Sequence, residues 1–275
     1  MNSASKKAIL VVSFGTSYEN TRKLTIEAIE HDIADAFPAC PTYRAWTSKM
    51  IIAKLKKRDG LTIHTVKEAL EQMLLDGITD VIVQPTHVIN GIENDQMKAD
   101  ALSFRDRFSS IVFGNPLLTT EEDNQAIVRV VADEFRDMDP DTALVLMGHG
   151  TEHYANTVYA ALDYRFKDTG HKNIFLGTVE AYPALDSLLR AADSFHPKKI
   201  VLAPFMIVAG DHAQNDLAGA DSDSWMNRLS SEGYEVTPVL KGLGEYPQVR
   251  QILVEHVQQA MNASDRDKMI HIYPS

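Results

Sequence analysis

A histidine between two glycines, Gly148-His149-Gly150, directly follows the apolar run Ala143 to Met147. A glutamate ends a second such run, in Thr178-Val179-Glu180-Ala181-Tyr182-Pro183. A second histidine follows a third run, in Ala209-Gly210-Asp211-His212-Ala213. The three lie too far apart along the chain to form a local metal motif. What they share is position, each just beyond the carboxyl end of a predicted strand, where α/β folds gather side chains around a ligand. Two imidazoles and one carboxylate make an open site for a divalent transition metal, with positions left for water or substrate. Neutral imidazole also accepts a proton near physiological pH, so His149, then His212, are candidate bases as well as ligands. Gly148 and Gly150 would let backbone and substrate approach His149 closely.

Each residue has a plainer reading. A histidine near a strand end is more often hydrogen-bonded at the surface or in the core than a ligand. Glu180 could cap the helix expected to begin near Pro183. Asp211 could cap a helix and leave His212 a bystander. The Gly-His-Gly setting favours function for His149.

The elements that must position these residues follow from apolar patterning. Short β-branched runs at Ala8–Phe14, Thr42–Trp46, Asp80–Pro85 and Ile111–Phe113 read as buried parallel strands. Amphipathic segments between them read as helices over Thr21–Phe37, Met50–Lys57, Thr65–Leu75, Asp95–Arg107 and Glu121–Asp137. The order then begins again, with strands at Ala143–Met147, Asn173–Val179, Lys199–Phe205 and Glu235–Leu240. Helices are expected over Tyr154–Phe166, Ala184–Asp193, Asp223–Ser231 and Gln248–Met261. Such alternation predicts an α/β protein of two similar lobes, each a parallel sheet flanked by helices, facing a cleft. The boundary is expected near Met138-Asp139-Pro140, giving lobes over 1–138 and 139–275.

A weak internal repeat supports two similar halves. Leu10 to Thr16 resembles Val145 to Thr151, and Val83 to Gly91 resembles Leu202 to Gly210. Under this match His149 corresponds to Phe14, and His212 to Glu93. Glu93 is therefore a further candidate to guide metal or take protons, although a bystander loop carboxylate is the preferred reading.

The whole chain sets limits. Its 275 residues, 44% of them hydrophobic, suffice for a full core. A net charge of -11 argues against general nucleic-acid binding, which needs a basic surface. Cys40 is the single cysteine, so no intrachain disulfide or thiolate cluster can form. No run approaches a membrane span or a signal segment, and a cytoplasmic address is expected. Lys49, Lys54, Lys56, Lys57 and Arg58 form one basic stretch. It reads first as a solvated helix face, and as a patch near a cleft it could bind substrate carboxylates. Arg44 and Lys49 are better placed to meet substrate carboxylates.

At these residues the sequence resembles the anaerobic sirohydrochlorin cobaltochelatases of the class II chelatase group, over nearly its whole length. The resemblance rests on Val11 to Ser17, Arg44-Ala45-Trp46-Thr47-Ser48, His87-Val88-Ile89-Asn90-Gly91, Met147-Gly148-His149-Gly150, Val179-Glu180-Ala181-Tyr182-Pro183 and Val208 to Asp216. It implies ATP-independent insertion of Co2+ into sirohydrochlorin, in the anaerobic cobalamin pathway. It also implies two active-site histidines at His149 and His212 and a metal-binding glutamate at Glu180. Cobalt is then a substrate, and no nucleotide or organic cofactor is expected. Sirohydrochlorin and a divalent metal are the expected partners, with no nucleic acid and no membrane. The apolar faces of the first-half helices suit a core or a homo-oligomer equally. The loops holding Ser13, Phe14, Gly15, Thr16, Arg44 and Glu93 are expected to shape the substrate site. Iron or nickel insertion into the same tetrapyrrole, and a non-enzymatic metal or tetrapyrrole carrier, stay open. Gly148-His149-Gly150-Thr151-Glu152 also resembles the opening of histidine phosphatases, but Met147-Gly148 stand where those enzymes need an arginine.

Overall fold

Strand β1 (Lys7–Ser13) is almost entirely buried, as a strand covered by helices on both faces must be. A computed structural model describes residues 6–272, with side chains through residue 263. Strands β2 (Thr42–Trp46), β3 (Asp80–Pro85) and β4 (Ser110–Phe113) join β1 in a parallel sheet of order β2-β1-β3-β4. A second parallel sheet holds β5 (Thr142–Gly148), β6 (Ile174–Thr178), β7 (Lys199–Pro204) and β8 (Glu235–Pro238), in the order β6-β5-β7-β8. The two sheets therefore repeat one topology, as the internal repeat implies.

The first half carries helices α1 (Glu19–Arg22), α2 (Ala28–Ala36), α3 (Lys49–Asp59), α4 (Val66–Leu75), α5 (Ile92–Leu102) and α6 (Glu121–Glu134). The second carries α7 (Thr157–Asp168), α8 (Leu185–Ala192), α9 (Trp225–Ser231) and α10 (Pro247–Ile272). Two departures from the expected elements bear on the site. A π turn over Lys23–Glu27 joins α1 to α2, and a second over Ala213–Leu217 begins directly after His212. Helix α5 starts three residues earlier than expected, at Ile92, so Glu93 lies in its first turn and not in a loop.

Helix α10 departs from the two-lobe division. It follows β8 in the chain but packs against α2, α6, β3 and β4. His256 lies 2.9 Å from an Asp123 carboxylate oxygen, and Arg250 donates to Asp32 at 2.6 Å. The last helix of the expected second lobe thus covers the first sheet. One apolar cluster also joins the halves, from Ile9 and Ile82 through Leu144 and Leu176 to Leu253 and Val257. No described helix is long and apolar enough to cross a membrane.

Candidate metal centre

His149 follows β5, the strand paired on one side with β6 and on the other with β7. Glu180 lies just beyond β6, and His212 beyond β7, so the three residues come from the carboxyl ends of three adjacent strands. Adjacent strands run about 4.8 Å apart, which brings residues distant in sequence within reach of one ion. The β5–β6 ladder continues past both strand ends. Val179 N–H donates to the Gly148 carbonyl at 3.0 Å, and Glu180 N–H to the His149 carbonyl at 2.9 Å. Glu180 is thereby pinned beside His149.

The turn that releases His149 from its strand needs Gly150. Its φ is +87°, and a Cβ there would stand 2.9 Å from Thr178 Cβ and Ala181 Cβ. Tyr159 is buried under this turn. Burial pushes its hydroxyl pKa up, partly offset by a hydrogen bond from the Gly150 backbone.

The imidazoles are held by their Nδ1 atoms. His149 Nδ1 is 2.7 Å from the Gly150 carbonyl, which can only accept, so Nδ1 carries the proton. His212 Nδ1 is 2.8 Å from Asp216 Oδ2, four residues on across the π turn. With Nδ1 as the donor, the neutral form of each ring has its lone pair at Nε2, the tautomer needed for metal binding. Each Nε2 lies 3.9 Å from the same Glu180 oxygen, and the three donor atoms fall within 4.8 Å of one another. A tetrahedral ion at about 2.1 Å from each donor needs donors roughly 3.4 Å apart. Slight side-chain rotation closes that difference. The rings meet edge to face, with centroids 4.6 Å apart. All three side chains keep solvent access, as an open site requires.

The two histidines face a cavity of about 460 Å³. Ser13, Phe14, Gly15, Thr16 and Glu93, expected in the substrate site, all line it. Gly15 has φ +106°, and its absent Cβ leaves room for the Trp46 ring, which would otherwise lie 2.5 Å away. Arg44 does not reach the cavity. It is expected to bind substrate carboxylates, but its guanidinium is engaged by Glu30, with Glu27 close by. Glu30 and Glu27 come from the helical segment packed beside β2, and they satisfy the charge internally.

Three contributors have no role of their own in the sequence reading, Asp216, Tyr159 and His87, while Lys54 appears there only as one member of the basic stretch. The His-x-x-x-Asp spacing of Asp216 is visible but acquires meaning only once a turn follows His212. Lys54 and His87 both line the cavity. Neither ring nitrogen of His87 has a hydrogen-bond partner among the described residues. Burial lowers its pKa to about 4, against the opposing charge of Glu93, so the ring is neutral.

A family model described as cobalt chelatase (CbiK) matches residues 7–262. The chain belongs to that family. The chelatase is 39% identical over 257 residues to a sirohydrochlorin cobaltochelatase of Salmonella typhimurium, covering 94% of this chain and 97% of that protein. It is 32% identical over 267 residues to sirohydrochlorin cobaltochelatase CbiKC of Nitratidesulfovibrio vulgaris, covering 94% of this chain and 92% of that protein. Among solved structures, SirB from Bacillus subtilis with Fe3+ superposes with a TM-score of 0.66 at 14% identity, covering 94% of this chain and 98% of that one. At that identity the likeness speaks for the chelatase fold alone.

Proposed function

We propose that this chelatase inserts Co2+ into sirohydrochlorin, with His149, Glu180 and His212 holding the metal before transfer. The observation that carries the reading is the approach of the His149 and His212 Nε2 atoms to one Glu180 carboxylate oxygen, with both histidines lining a cavity. The sirohydrochlorin cobaltochelatase relatives support the choice of metal and macrocycle.

The reaction exchanges two pyrrole N–H protons for one divalent ion. The enzyme's task is to strip water from the ion, present it to the macrocycle and accept the protons. Three protein donors leave coordination positions for departing waters and arriving pyrrole nitrogens. Glu180 offsets part of the ion's charge without filling those positions. A histidine bound to metal is no base, but one that has released it regains a lone pair. His149 and His212 can therefore hand over the ion and then take a proton, in that order. Glu93, in the first turn of α5, offers a second acceptor on the opposite half of the chain. Phe14 supplies an apolar face for the ring.

The test follows sirohydrochlorin absorbance with Co2+ and substoichiometric protein, without ATP. Multiple turnovers above the uncatalysed rate are expected, and their loss in His149→Ala with an unchanged melting temperature. Full activity in that variant would remove His149 from the mechanism. Stoichiometric binding without turnover would make the protein a carrier. Parallel runs with iron and nickel rank the metals.

A further inference from the structure

The substrate in the proposed reaction is a polycarboxylate, yet the chain is acidic and the cavity wall carries Glu93 and Asp211. A flat apolar wall can hold the macrocycle but cannot orient its acidic rim. Arg44 is consumed by Glu30. Among the described residues that line the cavity, Lys54 is the only lysine or arginine.

Lys54 stands on α3, one turn after Met50 and Ile51, and all three line the cavity. The spacing i, i+1, i+4 puts them on one helical face. Met50 and Ile51 offer apolar contact, and Lys54 an ammonium beside it. Lys23, Lys67, Lys167 and Lys241 each meet a carboxylate. The Lys54 side chain has no ion pair or hydrogen bond among the described residues. Lys54 is exposed, and an unpaired ammonium beside an apolar wall can meet an anion there.

We propose that Lys54 is the carboxylate anchor of the cavity, binding an acidic side chain of the tetrapyrrole and so fixing the macrocycle's orientation over the metal-binding residues. The proposal rests on the chelatase reading above. The anchor acts at the rim, away from the pyrrole nitrogens. It contributes equally to ground state and transition state, so it sets KM for the tetrapyrrole and not kcat.

The experiment is steady-state cobalt insertion by the full chain, comparing the parent with Lys54→Ala, Lys54→Glu, Lys54→Arg and Lys57→Glu. Lys57 lies on the same helix but does not line the cavity. Lys57→Glu therefore matches the net-charge change of Lys54→Glu without touching the anchor. For sirohydrochlorin, KM should rise about threefold in Lys54→Ala and about tenfold or more in Lys54→Glu, with kcat within about twofold of the parent. Lys54→Arg should retain most of the affinity, and KM for Co2+ should stay unchanged. Added salt should raise the parent's KM towards that of Lys54→Ala. An unchanged KM in Lys54→Glu overturns the proposal. So does an equal rise in Lys57→Glu, which would reduce the effect to the general field. A parent that neither binds nor metallates sirohydrochlorin overturns the chelatase reading, and the anchor with it.

Discussion

Asp216 offers a sharp perturbation of the proposed metal centre, because it touches His212 without being one of the three proposed ligands. Its Oδ2 is 2.8 Å from His212 Nδ1. That bond fixes the ring's tautomer and its rotation about the side chain. Removing such a partner typically weakens metal binding about tenfold to hundredfold. The Asp216 side chain is 46% exposed, so water can replace part of the bond. The lower end of the range applies: Asp216→Ala should weaken Co2+ binding about tenfold, or about 1.4 kcal/mol. Asp216→Asn keeps an oxygen that can accept from Nδ1 but loses the charge, and should fall between parent and Ala. The assay is calorimetric titration of the metal-free protein with Co2+, in a cycle with His212→Ala. Once His212 is gone, Asp216 has nothing to orient, so Asp216→Ala should cost nothing further. Parent-like affinity in Asp216→Ala, or an equal loss with and without His212, would refute the reasoning.

Two further outcomes concern stability. His87 buries a neutral imidazole with neither nitrogen bonded. Replacing it by leucine removes an unsatisfied group worth about 1 kcal/mol or more and should raise the melting temperature by a few degrees, read by calorimetry. A fall in melting temperature would mean that the ring makes polar contacts of structural weight. Asp123 joins α6 to α10 through His256. Burial pushes its carboxyl pKa up, but hydrogen bonds from His256 and Thr120 outweigh burial and hold it below the ordinary 3.8. The unfolded chain therefore takes the proton first as pH falls. The stabilisation is complete above the ordinary value and disappears as pH drops through the lower folded value. The melting-temperature gap between parent and Asp123→Asn should be constant near neutral pH and shrink in acid. A gap that persists in acid would sever stability from this carboxyl.

Much of the fold was legible because parallel strands bury both faces. Runs such as Ala8 to Val12 and Ala143 to Met147 are continuous apolar segments, and their boundaries shift by only a residue or two in the structure. The candidate ligands were legible for a related reason. Residues immediately after such runs stand at the carboxyl edge of a sheet, whatever the helices do. The chain was less informative where a contact depends on a partner far away in sequence. Arg44 looked free because nothing in Arg44-Ala45-Trp46 reveals that Glu30 packs beside it. Lys54 looked solvated because a basic run gives no clue to which member turns towards a cavity. Asp216 looked incidental because no helical pattern announces the π turn after His212.

The sequence by itself determined the α/β class, the doubled strand order and the three strand-end residues that could handle a metal, because burial and periodicity are local properties. Tertiary structure alone decided that α10 returns to cover the first sheet and that a single apolar core spans both halves. It also decided which cation reaches the cavity and which atom of each imidazole is free. Those outcomes depend on through-space pairing, where a carboxylate or carbonyl several ångströms away fixes a proton or cancels a charge. No run of residues encodes such a pairing until the sheets have brought its partners together.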